Sequence, residues 1–388
     1  MFVPTARDTI IAGARHPAVA AIPPRAHVKR LLALLLGAAL VAAPLLVAEK
    51  TDWLWPTPQE HFGWRFEPRY HSLPDATLGW RARPSSHTTV TRTHDGEVVY
   101  RVDYDIDAFG RRITPTPPRA PTPPPRFFLF FGGSNVFGEG LAAAQTLPAQ
   151  VARMAPGVVP YNYAFHGYGP HHFLTLARMR SLGDEVSERR GDAAYFLPAF
   201  HLDRLVGASS MIAWERGRSP YYFLDGDGVL RRQGSFASGR PWTTRLYRAV
   251  AASRVLRGLG VGLPLRAGTR SVELLCRVLV EGRDRLQAQF EAVRFRVVLY
   301  PGDTTAWQTP LRSCLAEHDV ATLDFRDLFR DASGEGLRIP FDGHPSAAAN
   351  RRIAKQLVRR LGLARPRASA SGARQSRPPR AAPGFEAR

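Results

Sequence analysis

The chain has 388 residues, 44% of them apolar, with 53 basic against 33 acidic side chains. That length allows a sizeable core without staples, and two cysteines exclude both a disulfide-built miniprotein and a cysteine-rich zinc site. Thirty-three glycines and thirty-three prolines exclude a plain helical bundle, and no collagen-like period appears.

Residues 1–30 form a basic leader, with Arg7, Arg15, Arg25, Lys29 and Arg30 against Asp8. Residues 31–48 then read LLALLLGAALVAAPLLVA, without a charge. At about 1.5 Å per residue this run nearly crosses a bilayer core of about 30 Å. Basic residues before it and Glu49 and Asp52 after it put the N-terminus in the cytoplasm and the body outside. The expectation is a single-pass inner-membrane anchor with a periplasmic body. The rival is a cleaved signal peptide ending at Val41-Ala42-Ala43, but Pro44 would follow the cut. Either way the body meets an oxidising compartment, where Cys276 and Cys314 pair or stay as two buried thiols.

Residues 51–113 are rich in tryptophan, tyrosine and charge. HTTVTRTHDGEVVYRVDYDID alternates around Asp95-Gly96 and predicts a β-hairpin within a small β-rich subdomain. Residues 114–126 hold seven prolines in thirteen positions, an extended linker. The run FFLFF (127–131) suits a fully buried strand. Further strands are expected at 158–164, 193–199, 295–300 and 320–325. Helical patterns lie at 142–154, 170–182, 270–291, 306–318 and 346–361. The alternation predicts an α/β domain over 127–363 with a mainly parallel sheet. Residues 205–265 interrupt it and contain a second hairpin pattern, YYFLDGDGVLRRQGSF, so they are read as an insertion or cap. The tail, 364–388, is Arg, Pro, Ala and Ser and is expected to be disordered. Leader and tail carry much of the basic excess, lysines number only three, and no nucleic-acid motif accompanies them, so nucleic acid is not an expected partner.

Parallel α/β sheets place sites at the carboxyl ends of their strands. Ser134 lies there, in FFGGSNVFGEG, either as a nucleophile or as a plain helix cap. It lacks the glycine spacing of the α/β-hydrolase nucleophile elbow, since position 136 is Val. A serine nucleophile needs an oriented base, and IPFDGHPSAAAN offers His344 two residues after Asp342, just before the last helix. The bland alternative is an ordinary Asp-Gly turn.

Together, FFGGSNVFGEG, VPYNYAFHGYGP and DGHP resemble the first, second and fifth blocks of the SGNH (GDSL-like) hydrolases. The resemblance spans about 127–361. It implies a flavodoxin-like three-layer α/β sandwich, ester hydrolysis or acyl transfer, and neither metal nor cofactor. It assigns Ser134 as nucleophile, His344 as base and Asp342 as acid, with the N–H groups of Ser134 and Gly167 in the oxyanion hole. The third block should supply an Asn donor. The matching strand end here is YFLPAFHLDR, where His201 stands nearest, as a substitute donor or as a structural residue. The acid also sits two residues before the histidine rather than three, where Phe341 stands. Asn135, His166 and Arg204 are expected to contact substrate, and His171 and His172 to line the cleft mouth rather than hold a metal. Trp214, Tyr221, Tyr222 and Trp242 either stack on sugar rings or pack the insertion. The expected activity is an anchored serine esterase on acyl esters of polysaccharide or lipid. The alternatives are an O-acyltransferase on envelope polysaccharide and a non-catalytic binding or assembly protein.

Overall fold

The computed structural model describes residues 61–118, 125–265, 267–302, 304–331 and 336–363, together with 36, 37, 40, 43–45 and 47–51. Two units emerge, Met1–Thr57 and Pro58–Arg388. In the first, the described residues between 36 and 50 are helical. The expected apolar span lies largely outside the described residues, and no helix among those described is long and apolar enough to cross a membrane. The basic leader and the tail lie outside them as well.

The second unit begins with five strands: β1 (Phe62–Glu67), β2 (Ser72–Asp75), β3 (Gly79–Ala82), β4 (Ser86–His94) and β5 (Glu97–Ile106). Asp95 and Gly96 both adopt positive φ, 48° and 88°, which a two-residue hairpin turn demands. β4 and β5 pair antiparallel around that turn. β1 adds to the other edge of β4, and β2 pairs with β3.

The strands that follow are β6 (Arg126–Phe131), β7 (Val158–Asn162), β8 (Arg190–Leu197), β9 (Pro220–Leu224), β10 (Leu230–Ser235), β11 (Ala292–Leu299) and β12 (Ala321–Asp324). Five of them form one parallel sheet in the order β12-β11-β8-β6-β7. Counted within the sheet this is the 2-1-3-4-5 order of doubly wound sheets, whose switch point lies between β6 and β8. β9 and β10 form the hairpin expected in the insertion. Strand and helix positions follow the apolar runs of the sequence to within a few residues at most ends.

Strand β6 shows why an unbroken apolar run is needed. Phe127, Leu129 and Phe131 face one hydrophobic cluster, while Phe128 and Phe130 face another. Each is at most 1% exposed, and full burial of such a side chain stabilises by about 1.5–3 kcal/mol. Helices Pro170–Met179, Thr269–Gln287 and Gln308–Glu317 cover the first face. Helices Leu147–Met154 and Ala347–Leu361 cover the second. Leu78, Trp80, Val90, Tyr100, Tyr104 and Ile106 belong to that second cluster, so the β-rich segment shares a core with the sheet. Both clusters lie wholly within Pro58–Arg388, which therefore holds a complete core of its own. A disulfide between Cys276 and Cys314 ties helix Thr269–Gln287 to helix Gln308–Glu317 and resolves the choice that the sequence left open.

Candidate active site

Ser134 follows β6 at the switch point and opens the short helix Ser134–Phe137. Gly133 precedes it, and the N–H groups of Val136 and Phe137 donate to the Gly133 carbonyl at 3.1 and 3.0 Å. The N–H of Ser134 itself stands in the first turn, where no intrahelical acceptor exists. Position 133 must be glycine. A Cβ there would meet Arg204 Nη1 at 2.6 Å, the Tyr168 carbonyl oxygen at 2.9 Å and His201 Nε2 at 3.1 Å. Arg112 braces the loop beyond the serine, its Nη1 donating to the carbonyls of Phe137 and Gly138 at 3.0 and 2.6 Å.

His344 sits on the turn before the last helix. Phe341 and Gly343 take positive φ, 56° and 82°, and the Ser346 hydroxyl caps the helix by accepting from the Ala349 N–H at 3.3 Å. That tight turn brings His344 Nδ1 onto Asp342 Oδ1, while the His344 N–H donates to the same oxygen at 3.3 Å. The Asp342 side chain is 2% exposed. Its other oxygen, Oδ2, pairs with Arg92 Nε at 3.1 Å. Arg92 comes from β4, and its guanidinium lies over the rings of Phe62 and Trp64, 4.5 and 4.4 Å from their centroids. Nothing local in the sequence marks Arg92 as part of the site.

Ser134 and His344 line one cavity of about 610 Å³, together with Gly167 and Arg204. Gly167 has φ +78°, and a Cβ there would meet Trp214 at 2.2 Å and Trp80 at 2.7 Å. A separate cavity of about 420 Å³, lined by Asp75, Arg81 and Tyr163, contains neither Ser134 nor His344.

His201 does not reach the cavity. Its ring is fully buried, with Nδ1 2.7 Å from the Tyr195 hydroxyl and Nε2 3.3 Å from Arg204 Nη1. Arginine can only donate, so Nε2 accepts and has no proton to offer a ligand. Burial, then the Arg204 charge, hold its pKa well below the ordinary value, so the ring is neutral. Arg204 lines the cavity instead. Its Nη1 also donates to the Tyr168 carbonyl at 2.8 Å. Burial lowers its pKa to about 10, which leaves it charged at neutral pH.

Asn135 faces a smaller cavity of about 150 Å³, with Tyr300 and Arg338, and not the one that holds Ser134. His166 does line the Ser134 cavity, whereas His171 and His172 are buried in the core. His172 Nδ1 accepts from the Gly169 N–H at 3.1 Å and its Nε2 donates to the Leu78 carbonyl at 3.0 Å. Those bonds fix helix Pro170–Met179 against the β-rich segment and do not open onto a cleft. In the insertion, Tyr222 is buried, Trp214 lines the Ser134 cavity, and Trp242 is 77% exposed rather than packed.

The cavity also holds side chains that sequence reasoning missed: Trp64, Phe66, Tyr70, His71 and Glu139. The Tyr70 hydroxyl lies 3.0 Å from His166 Nε2, and His166 Nδ1 lies 3.2 Å from His71 Nε2 and 3.6 Å from Glu139 Oε2. Burial opposes the Glu139 charge, but the hydrogen bond and field of His166 and the fields of His344 and His71 outweigh it. Its pKa falls to about 2. Burial, then His166, lower His71 to about 3. Burial, then Glu139, raise Tyr70 to about 12. A fixed anion thus stands among the cavity's lining residues together with neutral His71. These residues come from two separated stretches, 64–71 and 139, and no local spacing records that they meet.

Among the described residues the tightest possible metal cluster is Cys276, Cys314 and His318, whose two sulfurs are bonded to each other. No protein-family model matches the sequence, and no curated protein does. Several solved structures are similar to this chain. A member of the lipolytic protein G-D-S-L family from Veillonella parvula shows 13% identity over 60% of this chain and 97% of its own, with a TM-score of 0.33. TesA shows 15% identity over 61% of this chain and 99% of its own, with a TM-score of 0.35. The acetylxylan esterase Axe2 from Geobacillus stearothermophilus shows 10% identity over 63% of this chain and 98% of its own, with a TM-score of 0.35.

Proposed function

We propose that this chain is a serine esterase of the SGNH kind, acting on acyl esters through Ser134, His344 and Asp342. One observation carries the proposal. Ser134 and His344, about 210 positions apart in sequence, line one cavity, and the histidine is already oriented by a buried carboxylate. That is the nucleophile, base and orienting group that acyl transfer requires.

In the proposed reaction Asp342 holds the proton on Nδ1 of His344. Nε2 takes the proton of Ser134 as its Oγ attacks the acyl carbon. The resulting oxyanion is met by the N–H groups of Ser134 and Gly167 and by the Arg204 guanidinium, which stands in for the family's Asn. Nε2 then protonates the departing alcohol, leaving an acyl group on Ser134. Water, activated by the same Nε2, releases the acid. The aromatic wall of Trp64, Phe66 and Trp214 favours an alcohol half that carries a ring, such as a sugar. In an acyltransferase a sugar hydroxyl would take the place of water.

The proposal includes an anchor at residues 31–48, with the body on the far side of the inner membrane, where the disulfide is stable. Proteolysis of spheroplasts should then digest the body, and a protected body would refute the topology. The test of the chemistry is Ser134→Ala against wild type on a panel of acetyl and longer acyl esters. Wild type should turn over at least one, release free acid or a transferred acyl sugar, and react with a serine-directed phosphonate at Ser134. A folded wild type that neither turns over nor labels would leave the binding-protein reading.

A further inference from the structure

Between Asp227 and Glu273 the sequence carries nine arginines and no acidic residue. The described part of this segment contains helix Pro241–Ala252, which turns Thr244 and Val250 inward. Its outward face carries Trp242, Leu246 and Ala249, at the i, i+4 and i+7 spacing of a single apolar stripe. Arg245 and Arg248 are exposed beside that stripe, with the Arg245 guanidinium 4.8 Å from the Trp242 ring centroid. Trp242 is 77% and Leu246 56% exposed, and Leu259 and Leu265 beyond the helix are 62% and 77% exposed. An arginine-rich face with large apolar side chains standing in water matches the chemistry of the interface of an anionic bilayer. There the rings and leucines enter the acyl boundary while guanidinium groups meet lipid phosphates.

We infer that the insertion, through Trp242 and Leu246 of helix Pro241–Ala252 with Arg245 and Arg248 beside them, is a docking surface for an anionic membrane. Two observations favour a bilayer over a soluble polyanion. A polyanion would use the arginines but would leave Trp242 and Leu246 in water. The same chain also carries the uncharged run 31–48, which the proposed anchor reading, on which this second point rests, places in a bilayer. Docking has a consequence for the candidate site. Helix Ser209–Glu215 packs against helix Pro241–Ala252, and its Trp214 lines the Ser134 cavity. A bilayer on the outward face of helix Pro241–Ala252 would thus stand one helix away from a wall of that cavity.

The test is vesicle flotation of the Pro58–Arg388 unit, which holds both hydrophobic clusters and lacks the run 31–48. The probes are phosphatidylcholine vesicles with and without about a third phosphatidylglycerol, at low and high salt, with dextran sulfate as a soluble polyanion. Binding to the anionic vesicles should be strong at low salt and weak on neutral ones. The double variant W242S/L246S should lose roughly tenfold or more of it. R245Q/R248Q should lose roughly fivefold per arginine and flatten the salt dependence. All of these side chains are exposed, and thermal unfolding of each variant checks that the core is intact. The inference fails if the unit does not float, or if neither pair of substitutions weakens flotation, in which case the arginine-rich tail alone carries it. It also fails if dextran sulfate binds as well as vesicles do and W242S/L246S leaves the vesicle affinity unchanged.

Discussion

Arg204 and His201 stand three residues apart at the start of one helix, the spacing at which side chains share a face. The strand end therefore points to the wall of the Ser134 cavity, which Arg204 lines and His201 does not. The shorter ring turned under to Tyr195, and the longer guanidinium reached the cavity over it. If Arg204 meets the oxyanion, Arg204→Ala should lower kcat/KM on a small aryl ester by about 10²–10³. Added guanidinium should restore part of that rate, because the vacated space lies against Gly133; a loss that guanidinium cannot rescue would assign Arg204 to structure alone. Glu215 offers a residue-scale test of stability. Burial raises its pKa to about 8, against the Ser219 N–H that donates to it at 3.2 Å and the field of Arg204. The folded protein thus binds a proton that the unfolded chain has already released between its ordinary carboxyl value and about 8. Across that window stability falls as pH rises, with a slope of up to about 1.4 kcal/mol per pH unit. Glu215→Gln should flatten the slope in urea denaturation series, and an unchanged slope would show that other groups set it.

At the scale of elements, β4 does more than pair with its neighbours. It carries Arg92 to the second oxygen of Asp342, so a strand near the start of the chain steadies a turn near its end. The hairpin was legible in the alternation around Asp95-Gly96, because strand period and turn chemistry are local. The ion pair was not, because nothing in the 250-odd residues between its ends records their approach. The same holds for Tyr70 and His71, which meet His166 only where the β-rich segment lies on the α/β body. Arg92 and Asp342 have side chains 12% and 2% exposed, so removing the cation leaves a buried carboxylate without its partner. Arg92→Met should cost about 3 kcal/mol in urea denaturation. It should also lower kcat more than it raises KM, since Arg92 acts on the orientation of Asp342 and not on substrate. Arg92→Lys should recover part of the rate. Loss of stability with kcat intact would confine Arg92 to packing.

For the whole molecule, the strands of the sheet were legible in the sequence because most of them are apolar runs bounded by turns, whereas their order, β12-β11-β8-β6-β7, is set by pairings that no local run records. FFLFF needed no tertiary information to be recognised. The union of the β-rich segment with the α/β body did not follow. Prolines between 114 and 126 suggested a spacer, yet Arg112, just before them, bridges Asn162 at the end of β7. Trp80, Tyr104 and Ile106 then lie in one cluster with Phe128, Phe130 and Val136. Each of these aromatic side chains removes enough apolar surface from water to matter by about 1.5–3 kcal/mol, and a domain's whole margin is about 5–15 kcal/mol. A chain that begins at residue 125 should therefore fail to hold a native core. It should bind the dye ANS, lose its near-ultraviolet dichroism and show no esterase activity. The segment 58–118 added in trans should restore all three signals together, because it returns the apolar face and Arg92 at once. A 125–388 fragment that folds cooperatively and turns over ester unaided would show instead that the strands are an accessory and that Asp342 orients His344 without them.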